Sequence, residues 1–401
     1  MAEKGRRDRA DLSIILVLIG LFLVPAFVRR MVLTSFYQVN IFGFLGCLYI
    51  LYRTLAKGKM KREEGLPYLL MAVMFILLMS SEFHAGRTIK GFVRVFSGLL
   101  MPLPLLFYRP VNPEKTIRLV VKSFIVVSVF ITVMGLIDFL IGKKMITAYY
   151  LLAHDDNYYG MVMDSNRLYS YVGHPLYNAE IFLITFGLNY AYNEIFLKKH
   201  KNDKWTILVT LTGVAMTASK SAIAIYLGLL FVLYCRDIRY FAFCIVILAA
   251  GYFSHLFDSV IERFKGSLST GRNEVWERIS GSGVRFFEFF WGQGSDKKYK
   301  YSYLEEWARA AFEYPYRLFA LEFGILFSAI IMVTIFLLPA YRIFKESSHP
   351  FLLLILFIAV SLHVNMYNGI GTYIDSMYLF CLFGCMILSM GRIGGETCYE
   401  P

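Results

Sequence analysis

Charge is scarce in this chain. Only 17% of its 401 residues are charged, while 57% are hydrophobic. Soluble domains run at about 25% and about 45–50% respectively. These proportions exclude a disordered chain and argue strongly against a soluble one. The six cysteines lie within or beside apolar runs or in the C-terminal tail, never in the long polar segments, so no disulfide framework is implied. Nothing has metal-ligand spacing. A phosphate-binding glycine loop, a nucleophile elbow and a dinucleotide fingerprint are all missing. Acidic residues are short as well, 29 against 41 basic, for a net charge of +12. In a soluble protein that excess would suggest nucleic acid. Here most Lys and Arg stand between apolar runs, which is a topological pattern, and no nucleic-acid partner is expected.

Apolar runs are abundant. They fall near Leu12–Val28, Phe36–Tyr52, Leu66–Ser80, Phe92–Phe107, Leu119–Ile141, Tyr177–Leu197, Trp205–Thr217, Ser221–Tyr234, Tyr240–His255, Leu318–Ala340, Phe351–His363 and Tyr373–Met390. A span needs about 20 mostly apolar residues, so the expected fold is an all-α polytopic membrane protein with about twelve transmembrane helices. The basic N-terminus followed by Leu12–Val28 resembles a signal sequence. It lacks a small-residue cleavage site, and more spans follow, so it reads as a retained first helix. The basic segments predict that both termini are cytoplasmic. The chain then reads as one membrane domain, 1–401, with two long outer loops, 142–175 and 257–316.

The residues able to carry chemistry cluster on that outer face. In the second loop Arg272 and Trp276 sit four apart and would share one face of a helix beginning near Gly271. A guanidinium there can grip a phosphate, and Trp276 can stack on a sugar. An amphipathic interfacial helix, with Arg272 paired to Glu274 or Glu277, explains the same spacing. The first loop ends with Arg167 and the string Gly173-His174-Pro175-Leu-Tyr-Asn178, in which His174 and Asn178 are one turn apart. A Pro-initiated helix with interfacial tyrosines is the plainer reading. Between the seventh and eighth runs stands Thr217-Ala-Ser219-Lys220. A cation so close to the membrane is costly unless it meets water or an anion, or snorkels. Glu313 and Arg317, one turn apart before the tenth run, either pair with each other or leave Glu313 as a base for a sugar hydroxyl. His154, Asp155 and Asp156 suit either a solvated turn or a divalent cation beside a diphosphate.

These strings, in this order, resemble the O-antigen ligase/polymerase (Wzy-type) superfamily of bacterial polysaccharide enzymes: Gly173-His174-Pro175 with Asn178, Thr217 with Ser219 and Lys220, then Gly271-Arg272 with Trp276 and Gly292-Gln-Gly294. The likeness covers roughly Arg167 to Gly324. It implies a C-type glycosyltransferase in the bacterial plasma membrane, with its active site on the outer face and no metal or other cofactor. Its donor and acceptor would be undecaprenyl-diphosphate-linked oligosaccharides, which it would join with inversion into O-antigen, capsule or exopolysaccharide, alongside a chain-length regulator and a flippase. Carried over, Arg272, Lys220 and Arg167 would bind the diphosphate, while Asn178, Trp276 and Ser219 would shape the site. Glu313 and His174 are the candidate catalytic bases. Two departures stand out. Lys220 replaces the usual Arg, and Glu313 takes roughly the place of the ligase branch's His-rich string, which favours polymerase over ligase. A lipid-linked oligosaccharide flippase and a metal-dependent transferase using Asp155 and Asp156 are the competing expectations.

Overall fold

The computed structural model describes residues 11–33, 36–56, 62–86, 89–152, 160–162, 165–198, 203–234, 238–253, 261, 272–281, 287–295, 312–372 and 374–396. Among them the fold is all-helical, without strands; a single bridge pairs Ser170 with Gly173. Five helices are long and apolar enough to cross a membrane. They are α4 (Gly65–His84), α5 (Ile89–Leu106), α6 (Pro113–Leu140), α14 (Ile325–Glu346) and α16 (Ser376–Ile393). A bent pair makes a sixth, α1 (Leu12–Leu23) and α2 (Ala26–Val32), whose axes differ by 76°. This is a membrane protein by length and composition. Shorter apolar helices complete the bundle: α3 (Ile41–Ala56), α8 (Pro175–Tyr192), α9 (Asp203–Met216), α10 (Lys220–Tyr234), α11 (Ile238–Phe253) and α15 (Pro350–Met366). Three more helices stand at the ends of the bundle: α7 (Lys144–Leu152), α12 (Arg272–Ser280) and α13 (Pro315–Phe323).

Local sequence explains where helices start and break. Asn112 caps α6, accepting from Lys115 N at 3.3 Å, with Pro113 in the first turn. His174 caps α8 ahead of Pro175. Proline suits these positions because its missing N–H is an orphan there anyway. Pro25 breaks the first apolar run, a bend that hydropathy alone does not predict. Gly324, at φ +94°, separates α13 from α14.

The bundle has two distinct polar ends. At one, Asp11 accepts from Tyr108 and meets Arg53 at 3.9 Å. At the same end Arg118 binds Tyr192 at 3.1 Å, and Arg392 pairs with Glu346 at 2.8 Å. At the other end, Asp375, before α16, receives Arg29 from α2 at 2.9 Å. Both partners are buried, and Asp375 also accepts from Asn40 Nδ2 at 2.7 Å and Ala26 N at 3.0 Å. The remaining Arg29 donors reach Tyr37 O and Val24 O, each at 2.8 Å. Buried charge survives only when so fully paired. This network therefore fixes the kink between α1 and α2 against the start of α16.

Candidate functional site

A cavity of about 360 Å³ opens at the end of the bundle that carries Asp375. Its wall comes from Phe27 of α2, from Gly173 and His174 before α8, from Tyr177 within α8, and from Glu313 before α13. Tyr367 and Asp375, which flank the turn between α15 and α16, complete it. The volume lies in the range of small-ligand sites. The two residues expected to be bases, Glu313 and His174, line the same cavity although far apart in sequence.

His174 enters this cavity with one nitrogen spoken for. Its Nδ1 accepts from Leu176 N at 3.2 Å. In the neutral ring the proton then sits on Nε2. Glu313 lines the same cavity two residues before Pro315, which opens α13. The Asp375 carboxylate is already saturated by Arg29, Asn40 and Ala26, so its part is structural.

The segment before α8 is firmly held. Asn178 is fully buried and accepts from Ser170 Oγ at 2.7 Å. Its amide donates to Leu168 O at 3.0 Å and Gly173 O at 3.3 Å. It thus sets the backbone on which His174 rides. Lys143 donates to Val162 O at 3.3 Å from the other side, and burial lowers its pKa while Asp138 opposes that shift. Burial pushes the Tyr171 phenol up to about 12, so this tyrosine stays neutral at physiological pH.

The expected phosphate cations stand beside this segment rather than in the cavity. Arg167 Nε donates to Thr217 O at 2.9 Å, and Leu168 N donates to Met216 O at 2.8 Å. Arg167 is therefore clamped to the turn that leads into Lys220, where Ala218 adopts φ +49°. Ser219 caps α10, its Oγ accepting from Ala222 N at 3.4 Å. Neither Arg167 nor Lys220 lines the cavity with His174 and Glu313. The backbone of Arg272 opens α12, as the sequence predicts, and its side chain lies outside the described atoms. His154, Asp155, Asp156, Tyr158, Tyr159, Tyr299, Tyr301 and Tyr303 lie outside the described residues.

Trp276 packs on the chain itself. Its ring stacks on Phe287, meets Phe312 edge-on, and carries the Arg317 guanidinium 4.4 Å from its centroid. The Gly292-Gln-Gly294 string is a brace. Gln293 N and Gly294 N donate to Leu321 O and Glu322 O, each at 2.9 Å. Gly292 N donates to Ser81 Oγ at 3.1 Å, and Ser295 N to Glu82 at 2.7 Å. A Cβ on Gly292 would lie 2.2 Å from the Glu322 carbonyl carbon, so only glycine fits. The brace ties α13, and with it the approach to Glu313, to the end of α4.

Sequence reasoning gave no role to two buried groups here. Arg29 looks like a basic flank of the first run, yet it is 1% exposed and bound to Asp375. Glu180 is fully buried within α8 and accepts from the Tyr367 hydroxyl. An acid inside an apolar run was the available signal. No protein-family model matches the chain, and no curated protein matches it.

Proposed function

We propose that this chain is a polysaccharide polymerase. It joins oligosaccharide repeats carried on undecaprenyl diphosphate, with inversion, at the outer face of a bacterial plasma membrane. The single observation carrying this reading is the convergence of Glu313 and His174 on one cavity. Asp11 and Arg392 stand at one polar end and Asp375 at the other, which supports the reading of twelve crossings. The cavity side then faces outward, where the lipid-linked repeats are consumed.

The chemistry follows from charge. The acceptor sugar's hydroxyl gives its proton to Glu313 as its oxygen attacks the anomeric carbon of the donor. The bond to the diphosphate oxygen breaks on the opposite face, and the electron pair leaves with the diphosphate. Negative charge therefore grows on that group in the transition state. In this reading the diphosphate lies outside the cavity wall, toward Lys220, whose turn Arg167 braces, and Arg272, and cations beside the departing group lower the barrier more than they tighten binding. In this reading His174, beside Glu313 in the cavity wall, contacts a sugar or phosphate oxygen of the substrate. Asn178 and Ser219 position this machinery without touching the reacting atoms. Trp276 does so through Arg317 and the end of α13.

Purified protein in detergent, supplied with labelled lipid-linked repeats and no vesicles, tests this reading. Wild-type protein is expected to form glycosidic bonds, and Glu313→Gln to form none while still binding the lipid. Movement of the intact lipid-linked unit across vesicles, with no bond formed, would make the protein a flippase. Bond formation abolished by EDTA would instead make it a metal-dependent transferase.

A further inference from the structure

Behind Tyr367 the cavity floor continues into a cluster of buried polar groups that the proposed chemistry does not use. Tyr367 donates its hydroxyl proton to Glu180 Oε2, and the Ser376 hydroxyl lies within hydrogen-bonding range of its oxygen. The other carboxylate oxygen, Glu180 Oε1, is buried and has no hydrogen-bond partner among the described residues. The same holds for Tyr177 Oη, for Asn368 Oδ1 and for His363 Nδ1. His363 uses Nε2 on Leu176 O at 3.1 Å, so in the neutral ring Nδ1 is an acceptor, and its ring lies 4.9 Å from that of Tyr367. Tyr177 interacts electrostatically with both Glu180 and Asp375. Tyr177, Tyr367 and Asn368 themselves line the cavity.

Native interiors pair nearly all buried polar atoms, so several unpaired ones in one place call for an occupant. Asn368 Oδ1 and, in the neutral ring, His363 Nδ1 only accept, and Glu180 Oε1 and the Tyr177 hydroxyl can also accept. Tyr367 has committed its proton to Glu180 and shares its oxygen with the Ser376 hydroxyl, so any further group meets it as a donor. The fitting occupant is rich in donors. A diphosphate, which offers none when ionised, does not fit; a polyol does.

We propose that the floor of the cavity is a polyol subsite, in which Tyr367 and Tyr177 hold hydroxyls of the acceptor sugar and Glu180 acts as a positioning residue through Tyr367. This rests on the polymerase reading only for calling the sugar an acceptor; sugar binding itself needs no turnover. The donor's diphosphate stays outside this floor, on the side of Lys220.

Saturation-transfer NMR on the full chain in nanodiscs tests the assignment. The probes are a panel of methyl glycosides and their singly deoxygenated counterparts. At least one glycoside is expected to bind wild-type protein. Tyr367→Phe is expected to weaken it about tenfold, the loss typical of removing one hydrogen bond. One deoxy analogue should lose as much on wild-type protein and nothing further on Tyr367→Phe. Tyr177→Phe gives an independent second variant that leaves the Tyr367–Glu180 hydrogen bond in place. Equal binding by wild type and both variants overturns the proposal, as does the absence of binding by any glycoside. Sugar binding lost in Tyr367→Phe, by a protein that never forms glycosidic bonds, would keep this subsite while removing the polymerase reading.

Discussion

Replacing Asp375 by Asn tests the network that shapes the cavity. The side chain keeps its size, and its oxygen can still accept from Asn40 or Ala26, at 2.7 and 3.0 Å from the native carboxylate. What disappears is the counter-charge of Arg29, a guanidinium 1% exposed and 2.9 Å away. Stranding one partner of a buried pair costs about 3–5 kcal/mol. Arg29 cannot escape the cost by moving, because its other donors are held by Tyr37 O and Val24 O. The expected result is a loss of stability of about 3–5 kcal/mol in Asp375→Asn. A smaller loss is expected in the double variant Arg29→Met/Asp375→Asn, which removes the stranded charge but still leaves those carbonyls unpaired. Denaturant unfolding in detergent, followed by tryptophan fluorescence, gives both numbers. The reasoning fails if Asp375→Asn unfolds within 1 kcal/mol of wild type, or if the double variant is the less stable of the two.

Other consequences follow from the same geometry. Gly292→Ala drives a Cβ into the Glu322 backbone and should cost about 1–3 kcal/mol, read as a lowered unfolding midpoint, and should loosen the α13 end of the cavity. Asn178→Ala leaves Leu168 O and Gly173 O without a donor and should cost about 2–4 kcal/mol by the same assay, with activity lost in proportion to the shift of His174. Arg272→Ala should abolish polymer in cells while the protein still reaches the membrane; normal polymer would remove Arg272 from the site. Lys220→Ala should weaken binding of the lipid diphosphate about tenfold, and its effect should shrink at high salt.

Much of the fold is legible in the sequence because a bilayer imposes its thickness on every run. The helix starts at Pro175 and Pro315 and the helix that opens at Arg272 follow from local rules, whereas the start at Pro113 lies six residues before the apolar run at Leu119. The bend after Leu23 does not, because Pro25 acts together with Arg29, Asn40 and Asp375, which the chain brings together only when folded. The functional residues divide the same way. Glu313 and His174 are visible as polar residues at helix starts, and the structure brings them to one cavity. Trp276 looks like a sugar platform, yet its ring carries Arg317 and two phenylalanines, an arrangement set by distant segments. Glu180 stands out as an acid in an apolar run, but its partner Tyr367 lies seven helices later in the fold and no spacing points to it.

The most direct measurement is single-turnover transfer by Glu313→Gln beside wild type, with the same labelled lipid-linked repeat and with lipid binding measured in parallel. A carboxylate that takes the acceptor's proton predicts that the variant binds the lipid as wild type does and that transfer falls at least a hundredfold. Transfer at the wild-type rate with Gln in that place would contradict the account.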